Sequence, residues 1–300
     1  MKAIQALTWM FQLLASGLGL MAQEQPIHKN LNPAAVPPNL LLLVRQEVQL
    51  GKATDYQKLE VGLARAADRL DAPNSWIEMQ SMSGTRESVF FDLFDSFEHL
   101  EGARLDWLQL VSSHAEIGRL QEQIDTLVAS ERTVVALRRD DLGYLAETIN
   151  LSEARYLRMI EIRVFSGHQT DFVRVFQDLA ETYAKAKLDR PWVVYQVSAG
   201  MPALTFWVLM PMASLGEDVD LMSSAEELGG GEMEVVVQQI MQLEREAFAS
   251  TESNLYMLHP EMSHVSRDFA AEDPDFWRRP TKEEGKPEAG SKVSPAKRKP

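Results

Sequence analysis

Four charged residues at two matched places are where chemistry could sit. Arg45 and Glu47 alternate along the apolar run LLLLVRQEV, and Glu161 and Arg163 alternate along RMIEIRVF. The two places are 116 residues apart and their charges are reversed, Arg45 matching Glu161 and Glu47 matching Arg163. An arginine holds an anion and a glutamate moves a proton, so a small organic molecule bound between such groups could undergo acid–base chemistry. Trp76 with Gln80, and Trp192 with Gln196, recur at the same spacing and add an aromatic surface with an amide beside it. These eight residues form the candidate lining of a partly polar ligand cavity. They also admit a structural reading, in which Arg and Glu pair to hold two sheets together while Trp and Gln pack beside them.

Other catalytic equipment is absent from the sequence. There is no Cys, hence no thiol nucleophile and no disulfide. No G-x-S-x-G elbow occurs, and Ser198 has Met82 as its counterpart and no evident base. Gly229–Gly231 lies between helical stretches, not after a strand, so it is no phosphate loop. The run HPEMSH, His259–His264, has the look of a metal pair. At an offset of 120 it matches RDDLGY, Arg139–Tyr144, where no His stands, so it reads as a strand exit. Met159, Met201, Met210 and Met212 read as packing. No metal and no cofactor is expected.

Strands must position the candidate residues, because alternate side chains of a strand point to opposite faces. Ile160, Ile162 and Val164 make a helix-facing side, which sends Glu161, Arg163 and Phe165 the other way. By register, Arg45, Glu47 and Gln49 point with them. Trp76, Glu78 and Gln80 share one face of the next strand, as do Trp192, Val194 and Gln196, and these are assigned to the same inter-sheet cavity.

The matched spacing runs far beyond these residues. Gly51/Gly167, Leu63/Leu179, Trp76/Trp192, Gly84/Gly200, Phe90/Phe206 and Leu93/Leu209 all recur 116 apart, and the match resumes at 120 after four inserted residues placed near Gly229–Gly231. The chain is read as a tandem duplication. Each copy gives a strand (Leu41–Leu50; Met159–Ser166), then a helix (Thr54–Leu70; Thr170–Leu188) with Thr54 or Thr170 as N-cap. Two hairpin strands follow, Trp76–Met82 with Val89–Phe94 and Trp192–Ala199 with Leu204–Met210. A second helix (Ile117–Ser130; Glu232–Phe248) and a fourth strand (Thr133–Arg138; Leu255–His259) close each unit. The order β-α-β-β-α-β predicts two ferredoxin-like repeats, 40–150 and 151–277, whose sheets cover each other as an intrachain α+β barrel with helices outside. A monomer is then sufficient.

On these residues a resemblance can be named. MIEIRVFSGHQTDFVRVF resembles the opening of NIPSNAP-like proteins, and FFDLFDSFEHLEGA is similar to a passage of antibiotic-biosynthesis-monooxygenase-like domains. Both belong to the dimeric α+β barrel superfamily. That resemblance implies a substrate site between the sheets. In haem-degrading relatives a ligand His stands at the place of His99. Here the second copy has Leu215, the neighbouring Trp is replaced by Phe94, and no Asn sits on the first strand, so His99 is expected to face solvent.

The two ends complete the picture. Residues 1–22 run apolar after Lys2 and read as a signal peptide, 23–39 as a Pro-rich linker, and 278–300 as a disordered basic tail. That tail holds eight basic and three acidic side chains, so the body is more acidic than the net −14 of the whole. Such a charge argues against nucleic acid as a partner, and cleavage would leave no integral membrane segment. The expectation is an exported, periplasmic or secreted bacterial envelope protein that binds a small ligand or serves a structural, stress-related role. The alternative is a cofactor-independent monooxygenase or small-molecule isomerase, with Arg45 or Arg163 holding an anion and Glu47 or Glu161 moving a proton.

Overall fold

The computed structural model describes residues 35–217 and 231–277. The signal-peptide reading, most of the linker, most of the glycine-rich insertion and the basic tail lie outside the described residues. Within them the chain is mixed α+β. Eight strands, β1 Leu40–Val48, β2 Trp76–Ser81, β3 Glu87–Phe94, β4 Val128–Arg138, β5 Tyr156–Val164, β6 Val193–Ala199, β7 Thr205–Met212 and β8 Phe248–Leu258, close into one barrel. Every pairing is antiparallel, in the order β1-β3-β2-β8-β5-β7-β6-β4. Replacing each strand by the one four later maps this order onto itself. The barrel therefore has two equivalent halves, joined at the β2–β8 and β4–β6 seams. No described helix is long and apolar enough to cross a membrane.

The first helix of each half packs outside its sheet through an apolar stripe. In α1 (Ala53–Arg69) the stripe includes Tyr56, Leu63, Ala64 and Ala67; in α4 (Gln169–Ala186) it is Phe172, Val175, Phe176, Leu179 and Tyr183. Burying such a side chain contributes about 1.5–3 kcal/mol, which fixes the register of helix on sheet. Thr54 and Thr170 are not the N-caps. The left-handed turns at Gly51 and Gly167 bring the helix start forward, placing the caps at Lys52 and His168, where no side chain bonds the helix.

The second helical stretch of the first half breaks in two, α2 (Phe97–Ser113) and α3 (Ala115–Asp125), at the extended backbone of His114. Its equivalent in the second half is α5 (Glu232–Glu246). The fourth strands begin earlier than alternation predicts, at Val128 and Phe248. Their first residues, ASERT and ASTES, are exposed on both faces, so no apolar period marks them as strand; pairing with β1 and β5 does so instead.

The barrel centre is filled. Leu41, Leu43, Phe91, Met159, Trp207 and Tyr256 belong to one buried cluster inside it. The end where β1 and β5 start is plugged by two short C-terminal helices, α6 (Arg267–Glu272) and α7 (Pro274–Trp277), whose Phe269 and Trp277 enter the same cluster. Trp277 donates to the Ser152 carbonyl, and Arg155 pairs with Asp273 over the Phe276 ring. Ala35, which the sequence assigns to the linker, is buried here, and Tyr195 donates to the Pro38 carbonyl. The opposite end carries the charged residues.

Candidate functional site

At that polar end Arg45 projects into the barrel from β1 and meets two carboxylates. Its Nε and Nη2 grip Glu87 of β3 at 2.9 and 2.7 Å, and its Nη1 reaches Glu161 of β5 at 3.2 Å. Tyr256 of β8 donates its hydroxyl to Glu87 Oε1 at 2.8 Å, and Trp207 of β7 donates its indole N–H to Glu161 Oε2 at 3.1 Å. Side-chain exposure is 15% for Arg45, 5% for Glu87 and 16% for Glu161. Burial works against the arginine's charge, but the Glu87 hydrogen bonds and both carboxylates outweigh it and push the guanidinium above its ordinary value. Burial, followed by the Glu87 charge, likewise pushes the Tyr256 phenol up, so it stays a donor. Two glutamates face one arginine, leaving one negative charge over.

Of the eight sequence-predicted lining residues, the structure brings Arg45 and Glu161 together and separates the rest. Glu47 and Arg163 follow on the same strand faces but are exposed at the rim, apart from the buried pair. Trp76, Gln80, Trp192 and Gln196 point away from the barrel, toward the helices. Trp76 packs against Trp107 of α2 and belongs to the cluster under α1; Trp192 packs edge-on against Tyr183 of α4. Gln80 accepts from Gln57 of α1, and Gln196 accepts from Arg139. The face assignment failed because the hairpin strands are apolar on both sides. Ile77 and Met79 fill the barrel while Trp76 fills the helix layer, so alternation does not distinguish one face from the other.

Glu87, Tyr256 and Trp207 escape sequence reasoning. Glu87 falls before the predicted start of its strand. A signal was present: Ala203 stands at its repeat position and Ala136 at that of Tyr256, a break in symmetry at two places that meet in space.

A separate cavity of about 80 Å³ lies at the start of α1, lined by Tyr56, Gln57, Gln80, Ser81, Arg86, Glu87 and Ser88 among others. Beneath α1 sit buried acids. Burial pushes Glu60 up to about 8 and holds Glu78 well above the usual carboxylate range, and it raises Asp92 of β3 to about 7. Among the described residues, neither Glu78 carboxyl oxygen is satisfied by a hydrogen bond. These groups face the helix layer, not the barrel.

His99 lies outside the barrel on the first turn of α2, half exposed and edge-on to Phe94, so its position does not fit a haem ligand. His259–His264 is a strand exit that supports the first half. The Met262 carbonyl accepts from the Trp76 indole at 2.9 Å, as the Leu142 carbonyl does from Trp192 at 2.9 Å. Among the described residues no group of three or more His, Asp or Glu could hold a metal ion.

No protein-family model matches this chain, and no curated protein matches it. Solved structures do. A candidate monooxygenase from Lactobacillus acidophilus NCFM is similar at 6% identity and a TM-score of 0.46, over 75% of this chain and 95% of its own. An anthrone oxidase-like protein gives 13% identity and a TM-score of 0.46, over 75% and 93%. Chlorite dismutase from Candidatus Nitrospira defluvii, in complex with imidazole, gives 9% and 0.43, over 75% and 92%. Likenesses of this degree assign no ligand and no reaction to this chain.

Proposed function

We propose that this chain binds a small organic acid at the polar mouth of its barrel and abstracts a proton from it without a cofactor. As a small-molecule isomerase it returns that proton at another carbon. As a monooxygenase it leaves the carbanion to react with dioxygen as co-substrate, one oxygen atom entering the product and the other leaving as water. One observation carries the reading. Glu161 has Oε2 fixed by Arg45 and Trp207, while Oε1 accepts no hydrogen bond among the described residues and the side chain stays partly exposed. That is an oriented carboxylate with a lone pair free for a substrate proton.

Arg45 is consumed by the two glutamates and cannot also hold an anion. Arg163, two residues along the same face of β5 and exposed, is left for that task. Substrate sits at the mouth, because Trp207 and Tyr256 fill the interior below. The 80 Å³ cavity beside α1 is too small for the purpose, organic-ligand sites being about 300–1,000 Å³. We further read the two halves as duplicated ferredoxin-like units of NIPSNAP-like or monooxygenase-like type, supported by the 116-residue register and the symmetry of strand order. The apolar leader supports export to the bacterial envelope.

Thermal-shift screening against aromatic and quinone-like acids, followed by turnover assays on any hit, tests the proposal. Glu161→Gln should keep binding and lose turnover by roughly 10²–10⁴-fold, and Arg163→Met should weaken binding. A Glu161→Gln protein that turns substrate over at the wild-type rate sinks the assignment, as does the absence of any acid that binds.

A further inference from the structure

We propose that the reversal of charge where the two halves meet at their axis selects their pairing: each half accepts a half with the opposite charge at that position and rejects its own kind. The inference rests on reading the halves as copies and is independent of any ligand. Arg45 and Glu161 hold the same position in their halves, 116 residues apart, and they touch at 3.2 Å, so the symmetry axis passes between them. A barrel built from two first halves would bring Arg45 against Arg45 there, and one built from two second halves would bring Glu161 against Glu161.

The strands beside them sharpen the effect. In the β1–β4 ladder Arg45 stands directly opposite Arg132, and in the β5–β8 ladder Glu161 stands directly opposite Glu252. Like charges directly opposite destabilise a sheet. In the first half Glu87 offsets that repulsion by gripping Arg45, whereas the second half's Glu161 finds its cation in Arg45 of the unlike half. Arg132 and Glu252 are themselves repeat counterparts, 120 apart, so the same reversal holds at two positions of the ladder, while at the exposed rim it runs the other way, Glu47 in the first half against Arg163 in the second. The Tyr256–Glu87 hydrogen bond adds a second criterion. Its repeat counterparts are Ala136 and Ala203, so the bond forms only where a second half meets a first half. A half meeting its own kind would lose it and gain a like-charge contact, a form of selection by rejection.

Full-length variants followed by urea unfolding test this. Glu161→Leu removes the attraction and leaves the Trp207 indole without its acceptor, a loss that Glu161→Arg shares, while Arg45 keeps Glu87 in both. Glu161→Arg sets two guanidiniums at the axis and should lower the midpoint by roughly 1 M more than Glu161→Leu does. Adding Arg45→Leu to Glu161→Arg should recover most of that loss, since the new guanidinium then has Glu87 to itself. If Glu161→Arg alone does not fold, recovery of a folded protein in the double variant supports the inference. Equal midpoints for Glu161→Leu and Glu161→Arg, or no recovery on adding Arg45→Leu, would overturn it. Both arms read stability only, so their failure leaves the proton-transfer role of Glu161 standing, and a failed ligand screen leaves the pairing rule standing.

Discussion

Arg45 is the residue on which the polar end of the barrel depends. It is the counter-charge to both Glu87 and Glu161, so removing it strands two carboxylates where little water reaches them. Arg45→Met should cost about 3–5 kcal/mol in urea unfolding. Tyr256→Phe removes one hydrogen bond to Glu87 and should cost about 0.5–1.5 kcal/mol. Combined with Glu87→Gln its effect should be non-additive, because the two share one network; strict additivity would mean the hydroxyl finds no partner there. The sequence shows half of this network. Arg45 and Glu161 are legible because they are charged residues at matched places of β1 and β5, 116 apart, on a face that turns from apolar (Leu41, Leu43; Leu157, Met159) to charged along each strand. Glu87 and Tyr256 are not, because a charged residue at a strand's first position and a lone tyrosine on a strand carry no periodic signal, and only the closed barrel brings them together.

At the scale of the element, α1 is held on its sheet over acids whose burial favours the protonated form. Glu60 of α1 and Glu78 of β2 are 3% and 0% exposed, and Asp125 and Glu131 add negative charge around Glu60. Tyr56 donates to Gln46, which in turn donates to Glu131, so the layer around Glu60 is one of acids and amides. Acids with raised folded-state pKa bind protons more tightly folded than unfolded. Their stabilising contribution is full below the ordinary carboxylate value of 4.5 and is lost as pH climbs to about 8 for Glu60. Stability in urea unfolding should therefore fall from pH 5 to pH 8.5, by up to about 1.4 kcal/mol per pH unit for each such acid. Glu60→Gln should flatten the profile; an unchanged slope would place the linked protons elsewhere. The helices themselves were legible from 3.6-residue spacing, and the two hairpins from their glycines. The starts of β4 and β8 were not, because residues exposed on both faces owe their conformation to a neighbouring strand.

At the scale of the molecule, the halves meet along two seams, and matched residues guard both. Trp76 pairs through its backbone with His264 across one, and Trp192 with Tyr144 across the other, while each indole donates to a carbonyl of the opposite half. The tryptophans predicted to line a cavity are instead pins between halves. Gly84 and Gly200, 116 apart, close the hairpins at the same seams with φ of +72° and +91°. A side chain at either position meets left-handed strain of about 1–2 kcal/mol. What lies beyond differs. A Cβ at Gly200 would stand 2.2 Å from the Thr133 carbonyl oxygen, which is backbone and cannot turn aside. A Cβ at Gly84 would stand 2.1 Å from Asn254 Oδ1, the end of a side chain that can rotate. Gly200→Ala should then destabilise well beyond the strain alone and spread the β4–β6 seam, seen as faster amide exchange in Val197 and Ala199. Gly84→Ala should cost little more than the strain and leave exchange in β2 unchanged. Equal losses for the two would mean that the β4–β6 seam yields as easily as a side chain does, and that the barrel is held shut at the polar end and not along its seams.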